Sequence, residues 1–153
     1  MHIPDVKKIF AALHARTFVH ATEDPDKVMM ALLNAIGRVD VKTSKTEGQH
    51  GNPILILEAT LDGMEDIVDF FERLGDDDLT TLEKTTDSRI DDGCNLFMRI
   101  DKQAALKGDI RLAGGEDVIS IRVKVVAYPS RCDIALKTVR AFIDGERSRR
   151  NAI

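Results

Sequence analysis

The sequence predicts an α+β fold: a mainly antiparallel or mixed sheet with helices packed on one face. Three observations carry this. Residues 117–127 alternate, with Ile119, Ile121, Val123 and Val125 on one side and Ser120, Arg122 and Lys124 on the other; this is the period of a half-buried strand. Leu96, Met98 and Ile100 share one side of a second such run, and Phe97, Arg99 and Asp101 share the other. Between the strand-like runs lie apolar stripes at helical spacing: Val28, Ala31, Leu32 and Ala35, then Met64, Ile67, Val68, Phe71 and Leu74.

From the N-terminus, residues 5–15 read as helical, with Val6, Ile9, Phe10 and Leu13 at helix spacing, so residues 1–15 look like a helical extension to a single domain spanning 1–153. Residues 16–21 alternate as a strand. Asp24 can cap the helix that Pro25 opens, and Gly37 stops it. Residues 39–42 suggest a short strand, and the polar, glycine-containing 43–52 an ordered loop. Ile54 to Leu57 lacks alternation, which suggests a central strand buried on both faces. Asp62 can cap a helix through Leu74, with Glu65, Asp66, Asp69 and Glu72 on its outer side. The Thr-rich 79–87 favours at most one or two helical turns.

Asp91, Asp92, Gly93 and Asn95 are turn chemistry, since Gly accepts φ > 0 and Asp or Asn bonds its own backbone. Asp101 can cap a helix begun by Lys102 and Gln103 and ended by Gly108. Residues 110–112 can pair briefly before the Gly114-Gly115 turn. Ser130 can cap a last helix whose inward residues are Ile134, Ala135, Thr138, Val139 and Phe142. The basic end of the chain, 145–153, reads as a frayed tail.

The chain has 153 residues, 43% of them hydrophobic, and a net charge of −4. Residues 1–88 carry 9 Lys and Arg against 17 Asp and Glu, and residues 89–153 carry 13 against 9. Overall the field opposes nucleic acid, so any such contact needs a local basic patch. No apolar run approaches the ~18 residues of a membrane span, and a cytoplasmic protein is the expectation. Cys94 and Cys132 lie far apart without a C-x-x-C spacing, which favours free thiols over a zinc or redox motif. No cofactor and no metal site is expected, and no phosphate loop, zinc-protease or nucleophile-elbow motif occurs.

The wording of several stretches is more specific. Arg89-Ile90-Asp91, the run Phe97 to Ala105, His20 to Asp24 with Lys27-Val28, Glu47 to Pro53, and Glu116 to Ile119 occur in this order between about Phe18 and Tyr128. Together they resemble an archaeal family described as predicted RNA-binding, exosome-associated proteins. The resemblance implies a fold similar to the ribosomal protein that holds 5S ribosomal RNA, RNA as ligand and exosome subunits as partners. A second copy of the chain stays open as a further partner.

Three constellations can carry such a function. Phe97 and Arg99, with Arg122 and Lys124, can line one sheet face on which bases stack and phosphates pair. Arg16, Phe18 and His20 add a third row if their strand is adjacent; the alternative is that helices cover this face and Phe97 is core. Arg89, in the same stretch, is counted with the RNA-binding candidates. The loop 47–53 offers Gln49, His50 and Asn52 together with two glycines; it either contacts RNA or satisfies its own backbone. Lys102 and Gln103 sit at a helix start where anions bind, although Asp101 repels them. The reading is a non-catalytic binder of single-stranded or structured RNA. Its alternatives are a protein-interaction adaptor using the acidic 62–78 region and a hydrolase using His50.

Overall fold

Backbone alternation is honoured in three strands and hidden in two. The computed structural model describes residues 8–48, 51–127 and 132–152. In chain order the elements are β1 (Phe10–Val19), α1 (Pro25–Ile36), β2 (Lys42–Glu47), β3 (Pro53–Leu61), α2 (Met64–Arg73), α3 (Asp76–Arg89), β4 (Asn95–Asp101), α4 (Lys102–Leu106), β5 (Val118–Val125) and α5 (Cys132–Arg150). The strands lie in the order β2-β3-β1-β5-β4, and every neighbouring pair is antiparallel.

One face of this sheet is the core. Phe10, Leu13, Ala15 and Val19 of β1, Leu57, Ala59 and Leu61 of β3, the inward rows of β4 and β5, and the apolar stripes of α1, α2, α3 and α5 form one buried cluster. Phe10 stacks on Phe71 at 5.1 Å between ring centres, and both meet Phe142 edge-on at 5.0 and 5.2 Å. Those three rings tie the central strand to α2 and α5. Local signals set the element ends as expected: Asp24 accepts from Asp26 N at 2.9 Å, Asp101 accepts from Ala104 N at 2.9 Å, and the Leu112–Ile100 bridge pairs the short 110–112 stretch.

Other expectations are corrected. Residues 10–15 are strand, and the 1–15 helical extension fails wherever the chain is described; residues 1–7 lie outside the described residues. A register irregularity between Phe10 and Ala12 turns both Phe10 and Leu13 inward, and this bulge mimics helical spacing. Residues 42–47 are not loop but an edge strand with little buried on either side. The Ile54–Leu57 run is not buried on both faces, since Ile54, Leu55 and Ile56 are half-buried in a strand next to that edge. Gly63, without a side-chain bond, starts α2 in place of Asp62.

The Thr-rich stretch lies within a 14-residue helix. The hydroxyls of Thr80, Thr81, Thr85 and Thr86 donate to carbonyls four residues back, and Leu79, Leu82 and Thr86 are buried. The basic end is not frayed through residue 150. Arg150 donates to the carbonyls of Leu74, Glu72 and Phe71 at 2.7, 3.0 and 3.3 Å, gathering acceptors at the C-terminal end of α2. Glu146, buried, pairs with Arg149 and Arg150. The Ser130 cap lies outside the described residues.

Candidate nucleic-acid face

Among the described residues, no helix layer covers the second face of the sheet. Antiparallel register sets its residues in rows. Phe97 lies beside Arg122, Arg122 beside His14, and His14 beside Thr60. One row over, Arg99, Ser120, Arg16, Glu58 and Lys42 run across all five strands. Asn95 and Lys124 pair beyond Phe97, and Phe18 pairs with Ile56 at the far end of β1.

These side chains face outward. Phe97 is 43% and Phe18 is 38% exposed, whereas Phe10 on the other face of β1 is 0% exposed. The guanidinium of Arg16 lies over the Phe18 ring at 5.1 Å, leaving a cation and an aromatic surface together. Lys42, Arg16, Arg122, Arg99 and Lys124 stand on this face, with Glu58 among them and Asp101 at its border. The acidic exterior of α2 belongs to the helix layer, so the negative net charge and the basic patch occupy opposite sides. Arg99 also donates to Gly115 O at 3.4 Å, and Lys124 donates to Gly93 O.

His14 occupies the middle of the face. Its Nδ1 lies 3.0 Å from Thr60 Oγ1. Burial, then the adjacent Arg122 charge, pushes its imidazole below the ordinary value, against an opposing pull from Glu58. A neutral ring there keeps its second nitrogen for a ligand.

The remaining sequence candidates separate from this group. Lys102 is 3% exposed. Its Nζ donates to Phe18 O at 2.9 Å and meets Glu23 at 3.1 Å and Asp117 at 3.2 Å. All three protons of the ammonium are thus engaged, and the residue locks the end of β1 to α4 and to the start of β5; a phosphate has no donor there. Gln103 donates to Asp117 at 3.0 Å. Burial would raise the Asp117 carboxyl, but the bonds from Gln103 and Lys102 and the Lys102 charge hold it below the ordinary range.

Arg89 braces the edge from behind: it bonds Thr85 Oγ1 at 2.7 Å and reaches Phe97 O at 3.5 Å. Burial lowers its guanidinium pKa. Asn52 closes the β2–β3 hairpin, where its carbonyl accepts from Gly48 N at 2.8 Å, at the opposite edge from β4. Gln49 and His50 lie outside the described residues. Sequence reasoning omitted His14, Thr60 and Lys42 from the face. His14 was obscured because the bulge made its strand look helical, and Lys42 because its strand is polar on both sides. Among the described residues, no cluster of His, Cys, Asp and Glu is arranged for a metal and no helix is long and apolar enough to cross a membrane.

A single antiparallel sheet with helices packed on it places the chain in the α+β class. Comparison makes this narrower. Residues 12–125 match the family model described as RNA binding, and the chain belongs to that family. A protein of Pyrococcus abyssi named an RNA-binding protein is 35% identical over 144 residues, spanning 88% of this chain and 94% of that one. A solved DUF54 protein from Methanothermobacter thermautotrophicus is 32% identical with a TM-score of 0.77, covering 89% of this chain and 99% of the other. One from Archaeglobus fulgidus is 31% identical, also with a TM-score of 0.77, over 86% and 98%.

Proposed function

We propose that the chain is a non-catalytic RNA-binding protein that takes RNA on its open sheet face. The observation that carries this reading is the pairing of Phe97, Arg122 and His14 in one row, next to Arg99 and Arg16 in the following row, on a face without a helix layer. An exposed ring stacks an unpaired base, worth about 1–3 kcal/mol. The flanking guanidiniums neutralise phosphates and release counterions. Membership of an RNA-binding family supports the ligand class. The residues put forward are Phe97, Arg99, Arg122 and Lys124, joined by Arg16, Phe18 and His14; Lys102 and Arg89 act as scaffold.

Fluorescence anisotropy with single-stranded and structured RNA, at two salt concentrations, tests the reading. Affinity that falls with salt, and falls further in Arg122→Ala, is expected. No measurable affinity at low salt would overturn it. A role as an accessory of the archaeal exosome is a finer proposal, supported by the sequence resemblance. Co-purification of exosome subunits with the full chain, surviving nuclease treatment, would establish a direct contact; loss of the subunits with nuclease would reduce it to a shared RNA.

A further inference from the structure

The turn before β4 holds a feature that RNA binding does not use. Asp91 accepts from Gly93 N at 3.0 Å and Asn95 N at 2.9 Å, and Cys94 N donates to Asp91 O at 3.0 Å. Within this turn Cys94 has φ 60, the non-glycine residue with positive φ among the described residues. That conformation is disfavoured for a residue with a Cβ. Its thiol is buried beneath the turn.

Cys132 opens α5 from the other side, half-buried. Its Sγ lies 3.1 Å from Cys94 Sγ, and 3.2 and 3.3 Å from the carbonyls of Asp91 and Asp92. Two thiols 38 residues apart in sequence are thus in contact, one shielded and one reachable. The hydrogen bond shared with Cys132 and burial both raise the Cys94 thiol pKa.

We propose that Cys94 and Cys132 form a reversible dithiol–disulfide site that exchanges with small-molecule disulfides. In the first step the Cys132 thiolate attacks one sulfur of the small disulfide. A mixed disulfide forms on Cys132 and one small thiolate leaves. In the second step Cys94 gives up its proton, and its sulfur attacks Cys132 Sγ, expelling the second small thiolate. Two S–H bonds are lost and one protein S–S bond forms. The small disulfide is reduced by two electrons to two thiols, which take up the two protons.

The short separation makes the second step intramolecular and fast relative to a further external attack. Closure staples the 91–95 turn to the start of α5. Lys124 bonds Gly93 O in the same turn, so the staple lies under the Lys124 corner of the open face.

The test uses the full chain, reduced and then incubated with oxidised glutathione. Expected is loss of both titratable thiols and an intact mass lower by about 2 Da, without a lasting glutathione adduct. The closed form should melt about 5–15 °C higher than the reduced form, because closing the loop restricts the unfolded chain, and dithiothreitol should restore the lower value. Cys94→Ser should stop at one glutathione adduct on Cys132. Two thiols that remain titratable in the folded protein, stable adducts on both cysteines, or disulfide-linked dimers in place of the internal bond would each overturn the proposal. These readouts are taken on the unsubstituted protein without RNA, so they stand or fall apart from the RNA reading.

Discussion

The two faces of one sheet carry the same strands and opposite fates. On β1, Phe10 is sealed between Phe71 and Phe142, while Phe18 stands 38% exposed under Arg16. On β5, Ile121 and Val123 are core and Arg122 lies between Phe97 and His14. On the covered face an aromatic ring is held by hydrophobic burial. On the open face the rings stay partly in water, so less of their surface is spent on the fold. Stability and binding should therefore separate by face, and substitutions can test how cleanly.

The largest effect belongs to the covered face. Phe71→Ala removes a ring packed against three others and should cost about 3–5 kcal/mol. Thermal melting would show it as a large fall in Tm, with the RNA affinity of the protein that stays folded unaltered. A smaller loss, about 1–3 kcal/mol, is expected from Lys102→Ala, which leaves the Phe18 carbonyl and Glu23 without their donor while both carboxylates keep some access to water. Here the salt dependence of RNA binding should not move, since the Lys102 ammonium is engaged by Phe18 O, Glu23 and Asp117 and leaves no proton for a phosphate. A salt slope that did drop would return Lys102 to the binding face.

Smaller effects belong to the open face. Phe97→Ala should weaken RNA binding by about 1–3 kcal/mol with little change in Tm or salt slope, because stacking is not a phosphate contact. A fall in Tm at constant affinity would instead make Phe97 part of the scaffold. Arg122→Ala should reduce the salt slope by about one unit, the counterions of one phosphate. Arg149→Ala is the comparison, since Arg149 is tied to Glu146 and Glu72 in the helix layer; its slope should match the unsubstituted protein.

The smallest expected effect is in pH, and it has opposite signs for the two properties. The His14 pKa is lowered in the folded chain. Below the ordinary value of about 6.5, the unfolded chain therefore binds the proton more readily, and stability falls as pH drops from 7 through that region. A phosphate near His14 would favour the charged ring, so RNA affinity should rise a few-fold over the same interval. His14→Gln should flatten both dependences. Isothermal titration in buffers of different ionisation enthalpy would count the proton taken up; no uptake on binding would remove His14 from the contact.

What was legible in the chain followed from interactions a few residues long. Asp24 and Asp101 cap helices because a carboxylate and an amide two or three residues away can meet without help from elsewhere. The alternation of β4 and β5, and so the outward side of Phe97, Arg99, Arg122 and Lys124, follows from the two-residue period of any strand. These local rules were sufficient for the α+β class and for the four residues at the heart of the proposed surface. Only the tertiary structure decided which side is open, because parity sorts residues into two sets and says nothing of where the helices lie. It also decided the fate of residues whose partners are remote. The bulge in β1 takes its register from β5 more than a hundred positions away, the ammonium of Lys102 is consumed by Glu23 and Phe18, and Arg150 is ordered by carbonyls at the end of α2. In each case the deciding energy is a contact between groups far apart in sequence, and no window along the chain contains both halves of it.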